Sequence, residues 1–157
     1  MKTPFFSVPS HQTRLREAAL SWVGTPFHEH GAVKGPAGGV SCVSLVYALS
    51  LEIGIIKDGE IDIPKTPINW HKHNDVSLLG KFFRRSEIKN HIRRKDIEDG
   101  LLIGDLIPIE VGFSDHHLAM LISEDEIIHC HRIKGVLTTS LENVKELLTG
   151  SVYRIYK

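Results

Sequence analysis

The spacing of apolar residues changes character near Leu101. Before it the period is helical. Leu15, Ala18, Ala19, Trp22 and Val23 recur at three- and four-residue intervals. That predicts an amphipathic helix with Ser10 or Thr13 as its cap and Gly24 and Pro26 as its stop. The segment "TPFHEHGAVKGPAGGVS" reads as a glycine-rich loop. The run from about Cys42 to Ile53 is apolar on nearly every side and closed by Gly54, so it is expected to be the central buried helix. Residues 57–70, with an Asp-Gly turn, Pro64 and Pro67, form a connection into a helix from about Asn69 to Phe83. The basic stretch "KFFRRSEIKNHIRRK", Lys81 to Lys95, follows and is expected to be a solvated helix face before the turn "EDG".

From Leu101 the runs become short and β-rich: "GDLIPIEV", "HHLAMLIS", "EIIHCHR" and "GVLTTSL", separated by Gly, Asp and Ser turns. A short helix over "LENVKELL" and a last strand, "SVYRIYK", finish the chain. Helices first and an antiparallel sheet second describe an α+β fold, with residues 1–157 as one domain.

Composition narrows the function classes only a little. Nineteen basic residues balance nineteen acidic ones in 157, so bulk charge points to neither nucleic acid nor membrane as a partner. The basic run carries no base-stacking aromatic pattern. No apolar run approaches membrane-spanning length, and "MKTPFFSVPSHQTR" has no apolar core of a Sec signal. The expectation is a soluble cytoplasmic product, with any export by another route or as part of a phage-like particle. Oligomeric state is left open. Two cysteines, Cys42 and Cys130, are too few for a disulfide framework, and both are expected to be reduced.

Eight of the ten histidines fall in four close pairs, His28/His30, His71/His73, His116/His117 and His129/His131, and they make the position of Cys42 matter. A thiolate is the reactive form of cysteine, and a helix N-terminus favours negative charge, so Cys42 is expected to have a lowered pKa. Free N–H groups of that turn would face the oxyanion of an acyl-transfer intermediate. Gly38 and Gly39 would let a substrate backbone approach closely. Such chemistry needs a histidine base and a group to orient it. His117 and His129 lie in successive strands, twelve residues apart. Both project from one sheet face if the connecting turn has an odd number of residues, and from opposite faces if it is even. His116 should face the other way, and Cys130, alternating with His129, is expected to be an inert core thiol.

The order "WVGTPF…GGVSC…LV", then "GDL", then "HLAMLISEDEIIHC" and "GV" resembles the NlpC/P60 family of cysteine peptidases. The tail "GVLTTSL…SVYRIYK" looks like the closing strands of its phage-tail branch, and the resemblance covers roughly residues 14–157, least of all 57–98. It implies a papain-like α+β fold, with the Cys42 helix packed on the antiparallel sheet. Cys42 takes the place of the nucleophile, His117 the general base and His129 the third polar residue. It further implies no cofactor, no metal and a peptidoglycan-derived peptide substrate, cut between D-glutamate and a diamino acid. Two departures stand out. The family commonly reads Asp-Cys-Ser-Gly where this chain reads Ser41-Cys42-Val43-Ser44, so Ser41 stands at a structural or substrate contact. Phe27 replaces an aromatic hydroxyl after "TP", so His28 or His30 would have to supply that donor. Phe27, His30, Gly39 and Ser41 are the expected substrate-side positions.

Two rivals stay open. "HKHND" places His71, His73 and Asp75 at a spacing used by binuclear zinc hydrolases, and His129, Cys130 and His131 add ligand types. The required histidine after the Asp is Val76, and exposed turn histidines are the plainer explanation. The other rival is a domain that binds cell wall or a protein partner without hydrolysing anything.

Overall fold

A computed structural model describes residues 2–29, 31–60, 85–111 and 114–157, with the side chains of 86, 87, 111 and 114–116 outside that description. The expected helix over Asn69 to Phe83 and the "HKHND" motif lie outside the described residues, as do His30 and the side chain of His116.

The first helix, α1, spans Pro9–Trp22. Its start differs from the expected serine or threonine cap. Val8 takes the extended N-cap position and Pro9 the first helical one, where its fixed φ suits the turn and its missing N–H is no loss. Leu15, Ala19 and Trp22 form its buried stripe. The second helix, α2, runs Cys42–Glu52, and Gly54 at φ 80° closes it. Its buried Ser50 bonds back to the Val46 carbonyl at 2.8 Å, which satisfies the hydroxyl inside an apolar setting.

Between them the glycine-rich segment is not wholly irregular. It folds into a two-strand hairpin, β1 (Ala32–Val33) and β2 (Gly39–Val40). Lys34 ties this hairpin to both helices, reaching Glu52 at 2.9 Å and the Ser21 hydroxyl at 2.7 Å. Glu52 also accepts from the Trp22 indole at 2.9 Å.

The basic stretch is corrected in part. After a short helix, α3 (Ser86–Lys89), residues Ile92–Asp96 form a strand, β3, at the edge of the main sheet. The helical expectation failed because neighbouring groups receive the charges one by one. Arg93 lies over the Tyr156 ring at 4.5 Å, and Arg94 Nε donates to Ser151 Oγ at 2.9 Å. An edge strand tolerates charged side chains and is protected by them from pairing with other chains.

The remaining strands are β4 (Leu106–Val111), β5 (Ser114–Leu121), β6 (Glu126–His131), β7 (Gly135–Ser140) and β8 (Ser151–Ile155). They form one antiparallel sheet in the order β3-β8-β4-β5-β6-β7. Alternation along the strands splits the apolar residues between two faces. Leu118, Met120, Ile122, Ile128, Cys130 and Val136 join the main core with Leu45 and Leu49 of α2. Each fully buried side chain of that size stabilises by about 1.5–3 kcal/mol. Ile107, Ile109, Ala119, Leu121, Ile127 and Val152 face the other way, and Leu141, Val144 and Leu148 cover them. Those three come from the region expected to be a short helix, which is a 3-10 helix over Leu141–Leu147.

Asp105 precedes β4 and is 1% exposed. It accepts from the Leu102 N–H at 2.8 Å, the turn role expected of it. Arg154 of β8 adds two further bonds, at 2.9 and 2.8 Å, which the sequence did not suggest. The pair leaves the buried carboxylate fully met and joins the turn to β8. The architecture is thus α+β, helices on an antiparallel sheet, as the sequence pattern predicted.

Candidate active site

Ser41 and Ser44 begin α2 with a reciprocal cap. The Ser44 N–H reaches Ser41 Oγ at 3.2 Å, and the Ser41 N–H reaches Ser44 Oγ at 2.8 Å. Ser44 Oγ also donates to the Gly31 carbonyl at 2.7 Å, so it anchors the loop before the hairpin. Serine at both positions therefore has a structural explanation. The Ser41 hydroxyl takes part in the cap, bonding the Ser44 N–H and lying 2.8 Å from Ser44 Oγ.

Cys42 is the first residue of this helix and is half-buried. Backbone N–H groups of Leu118, Val43 and Cys42 itself point at its sulfur and favour the anion. Crowding outweighs them. Burial pushes the Cys42 thiol up from its ordinary value, and the nearby Glu29 charge adds to the rise. The expected lowering by the helix terminus is corrected on this point: in the resting structure the group is a thiol.

The position of the sulfur follows from where two strands part. Leu121 N–H bonds toward the β4 side, to Asp105, and Ile122 N–H toward the β6 side, to Glu126. Even-numbered amides of β5 therefore face β6. The β5–β6 ladder covers Leu121↔Ile127 and Met120↔Ile128. The next amide on that edge, Leu118 N–H, meets the Cys42 sulfur. That N–H belongs to the peptide bond leaving His117, so sulfur and candidate base are one peptide unit apart along the strand.

The same register settles the parity left open by the sequence. With Ile127 opposite Leu121, an odd number of residues connects the two strands, and His117 and His129 share a face. His117 Nε2 and His129 Nδ1 are 2.8 Å apart, with the rings edge-on at 79°. His129 Nε2 in turn meets Thr139 Oγ1 of β7 at 2.8 Å. Nδ1 of His117 is the nitrogen outside this chain of bonds. Burial, reinforced by the neighbouring histidines, lowers His117 to about 3 and His129 to about 4. Both rings are neutral at neutral pH. The thiol and the His117 ring make no direct hydrogen bond to each other.

Cys130 projects from the opposite face, toward α2, and its S–H donates to the Val40 carbonyl at 3.1 Å. Burial and the neighbouring Cys42 push it up to about 12. It is buried in the core, as the alternation predicted. The same alternation prevents His129, Cys130 and His131 from converging on one ion. His131 Nδ1 accepts from the Ile133 and Lys134 N–H groups at 3.1 Å each. Among the described residues no cluster of three ligating side chains is arranged for a metal.

Of the expected substrate-side residues, Phe27 is half-buried against the main core, with Arg132 5.6 Å over its ring. Gly39 is buried, and a Cβ there would lie 2.5 Å from the Cβ of His28. This packing alone calls for glycine at the position. His30 lies outside the described residues. Thr139 and the Leu118 amide were missed, because both depend on register. The odd three-residue turn between His131 and Gly135 was the available signal for Thr139.

No protein-family model and no curated protein matches this chain. Solved structures do. A lipoprotein-like NLP/P60 family protein of Staphylococcus aureus is 16% identical with a TM-score of 0.58, covering 96% of this chain, which spans 43% of that protein. The P60 domain of an antigen from M. avium subspecies paratuberculosis is 15% identical, with a TM-score of 0.58 and 95% and 97% of the two chains covered. The NlpC/p60 domain of the peptidoglycan hydrolase SagA is 14% identical, with a TM-score of 0.52 and 92% and 97% covered. The α2 helix on its antiparallel sheet is, on these likenesses, the NlpC/P60 fold.

Proposed function

We propose that this domain is a thiol hydrolase acting on a peptide or amide bond of peptidoglycan stem peptides, of the kind that joins D-glutamate to a diamino acid. The observation that carries it is the 2.8 Å bond between His117 Nε2 and His129 Nδ1, on the strand whose Leu118 amide favours the Cys42 thiolate. Support for the substrate class comes from the likeness to the NlpC/p60 domain of the peptidoglycan hydrolase SagA.

In this mechanism His117 Nδ1 takes the thiol proton as sulfur attacks the carbonyl carbon. The N–H groups of Cys42 and Val43 favour negative charge on the sulfur, and in this mechanism the Cys42 amide turns to the substrate oxygen once the sulfur is bonded to carbon. His117 then protonates the leaving amine, and water attacks the thioester with the same ring as base. His129 orients His117. Because burial keeps both partners neutral at rest, the proton moves during attack and no ion pair is stored beforehand.

Incubating defined muropeptides with the protein and reading products by mass spectrometry tests the proposal. Cleavage is expected, and none with Cys42→Ala; equal cleavage by that variant rejects the mechanism. The raised Cys42 thiol and the missing thiol–imidazole bond favour one other reading, a binding module. Iodoacetamide separates the two. A hydrolase should label at Cys42 well before Cys130, whereas equally slow labelling of both points to binding alone.

A further inference from the structure

We propose that Thr139 is a positioning residue that sets which nitrogens of the His117–His129 pair carry protons, keeping His117 in the form that accepts a proton from Cys42. This rests on the thiol-hydrolase reading above, but its physical content can be tested without substrate.

The bond between the two rings does not choose its own direction. His117 Nε2–H can donate to a lone pair on His129 Nδ1, or His129 Nδ1–H can donate to His117 Nε2, and either fits 2.8 Å. Only the first leaves a lone pair on His117 Nδ1, the nitrogen outside the chain. That direction puts the proton of each ring on Nε2, which is also the intrinsically preferred tautomer of imidazole. It carries one requirement. His129 is buried, so its Nε2–H needs an acceptor. Thr139 Oγ1, 2.8 Å away, is that acceptor.

The strand register makes the contact specific. Thr139 stands opposite Ile127 on β7 and His129 opposite Leu137, so Thr139 reaches His129 diagonally across the β6–β7 ladder on one face. A hydroxyl can donate as well as accept, so its presence permits both directions. Its removal penalises only the base-competent one severely, since an orphaned buried N–H costs more than an orphaned lone pair. A half-buried hydroxyl on an edge strand ends the chain of bonds among the described residues.

The test uses protein with 15N-labelled histidine rings, free of substrate, and two-bond 15N–1H spectra at neutral pH. In the natural protein both His117 and His129 should be Nε2–H. Thr139→Val should shift His129 toward Nδ1–H, and Thr139→Ser should look like the natural protein. In parallel, muropeptide hydrolysis by Thr139→Val should lose about tenfold in kcat with KM within about twofold, the scale of one buried hydrogen bond, and Thr139→Ser should recover most of it. His129 found as Nδ1–H in the natural protein would overturn the proposal, and this measurement needs no variant to fold. So would unchanged tautomers in Thr139→Val, a tautomer shift without loss of kcat, or a serine variant as impaired as the valine one. Hydrolysis surviving in Cys42→Ala would remove the thiol reading but leave the tautomer result standing, so the two failures are distinguishable.

Discussion

Cys42, at the start of α2, and Cys130, on the sheet face that meets α2, are close enough for charge on Cys42 to oppose ionisation of Cys130, and burial raises both thiols. They differ in what faces the sulfur. Three backbone N–H groups point at Cys42, and each would strengthen its bond as charge develops there. Cys130 gives its own proton to the Val40 carbonyl, a bond that ionisation destroys. Exposure adds to the contrast, since Cys42 is half-buried and Cys130 buried. A raised resting pKa therefore does not by itself mark an inert thiol. Donors around the sulfur and an open path to it decide reactivity, whatever the resting protonation.

The sharpest way to break this comparison is to remove each sulfur in turn. Cys42→Ala should lower hydrolysis of a muropeptide by at least about a thousandfold, the scale of deleting a nucleophile from a catalytic set. Its thermal midpoint should change little, because the helix cap is built from Ser41 and Ser44 and not from the sulfur. Cys130→Ala should do the reverse, keeping most activity and losing about 1 kcal/mol of stability for one buried heavy atom. If the two variants were equally active, the distinction between donor-lined and acceptor-lined sulfur would fail.

A second substitution probes the other half of the site. His117→Ala should cost about a hundred- to ten-thousandfold in kcat, the range for a general base. The Leu118 amide that favours the thiolate is backbone and survives the change, so alkylation at Cys42 should keep its preference over Cys130. Losing that preference together with the activity would mean that His117 shapes the thiol pocket rather than moving a proton.

The two halves were also unequally legible. Short-range signals placed Cys42: a glycine pair before it, a mostly apolar run from it and a closing glycine lie within one stretch of chain. The histidines needed the strands to be in register, and parity left two possibilities until the odd turn after β5 was seen. Thr139 was a further strand away and carried no chemical signal of its own. The pKa of Cys42 was misjudged for a related reason. The field of a helix terminus follows from local sequence, but the atoms that bury the sulfur come from elements far apart in the chain. The strand from Ile92 to Asp96 was missed because its arginines find Ser151 on β8 and Tyr156 just after it, which no local pattern announces. In the glycine-rich loop the sequence suggested room for a ligand, and Gly39 makes room for His28.

The histidine pair supplies the gentlest test, through acid stability. Free in an unfolded chain, each ring takes a proton near 6.5; in the folded protein His117 does so at about 3 and His129 at about 4. Below 6.5 the unfolded chain therefore binds more protons than the native one, so protonation pulls the equilibrium toward unfolding. The stability linked to these rings is complete above pH 6.5 and drains away as pH falls toward 3–4. Urea midpoints measured from pH 7.5 to 4.5 should fall steadily below 6.5, and the fall should be shallower in His129→Gln, which removes one of the two titrating rings. Hydrolysis should show no loss of its base near 6.5, since the relay stays neutral well below that value. A rate profile with an acidic limb centred on 6.5 would mean that His117 titrates as an exposed imidazole, and that the histidine face of the sheet is open to water in a way the Cys130 face is not.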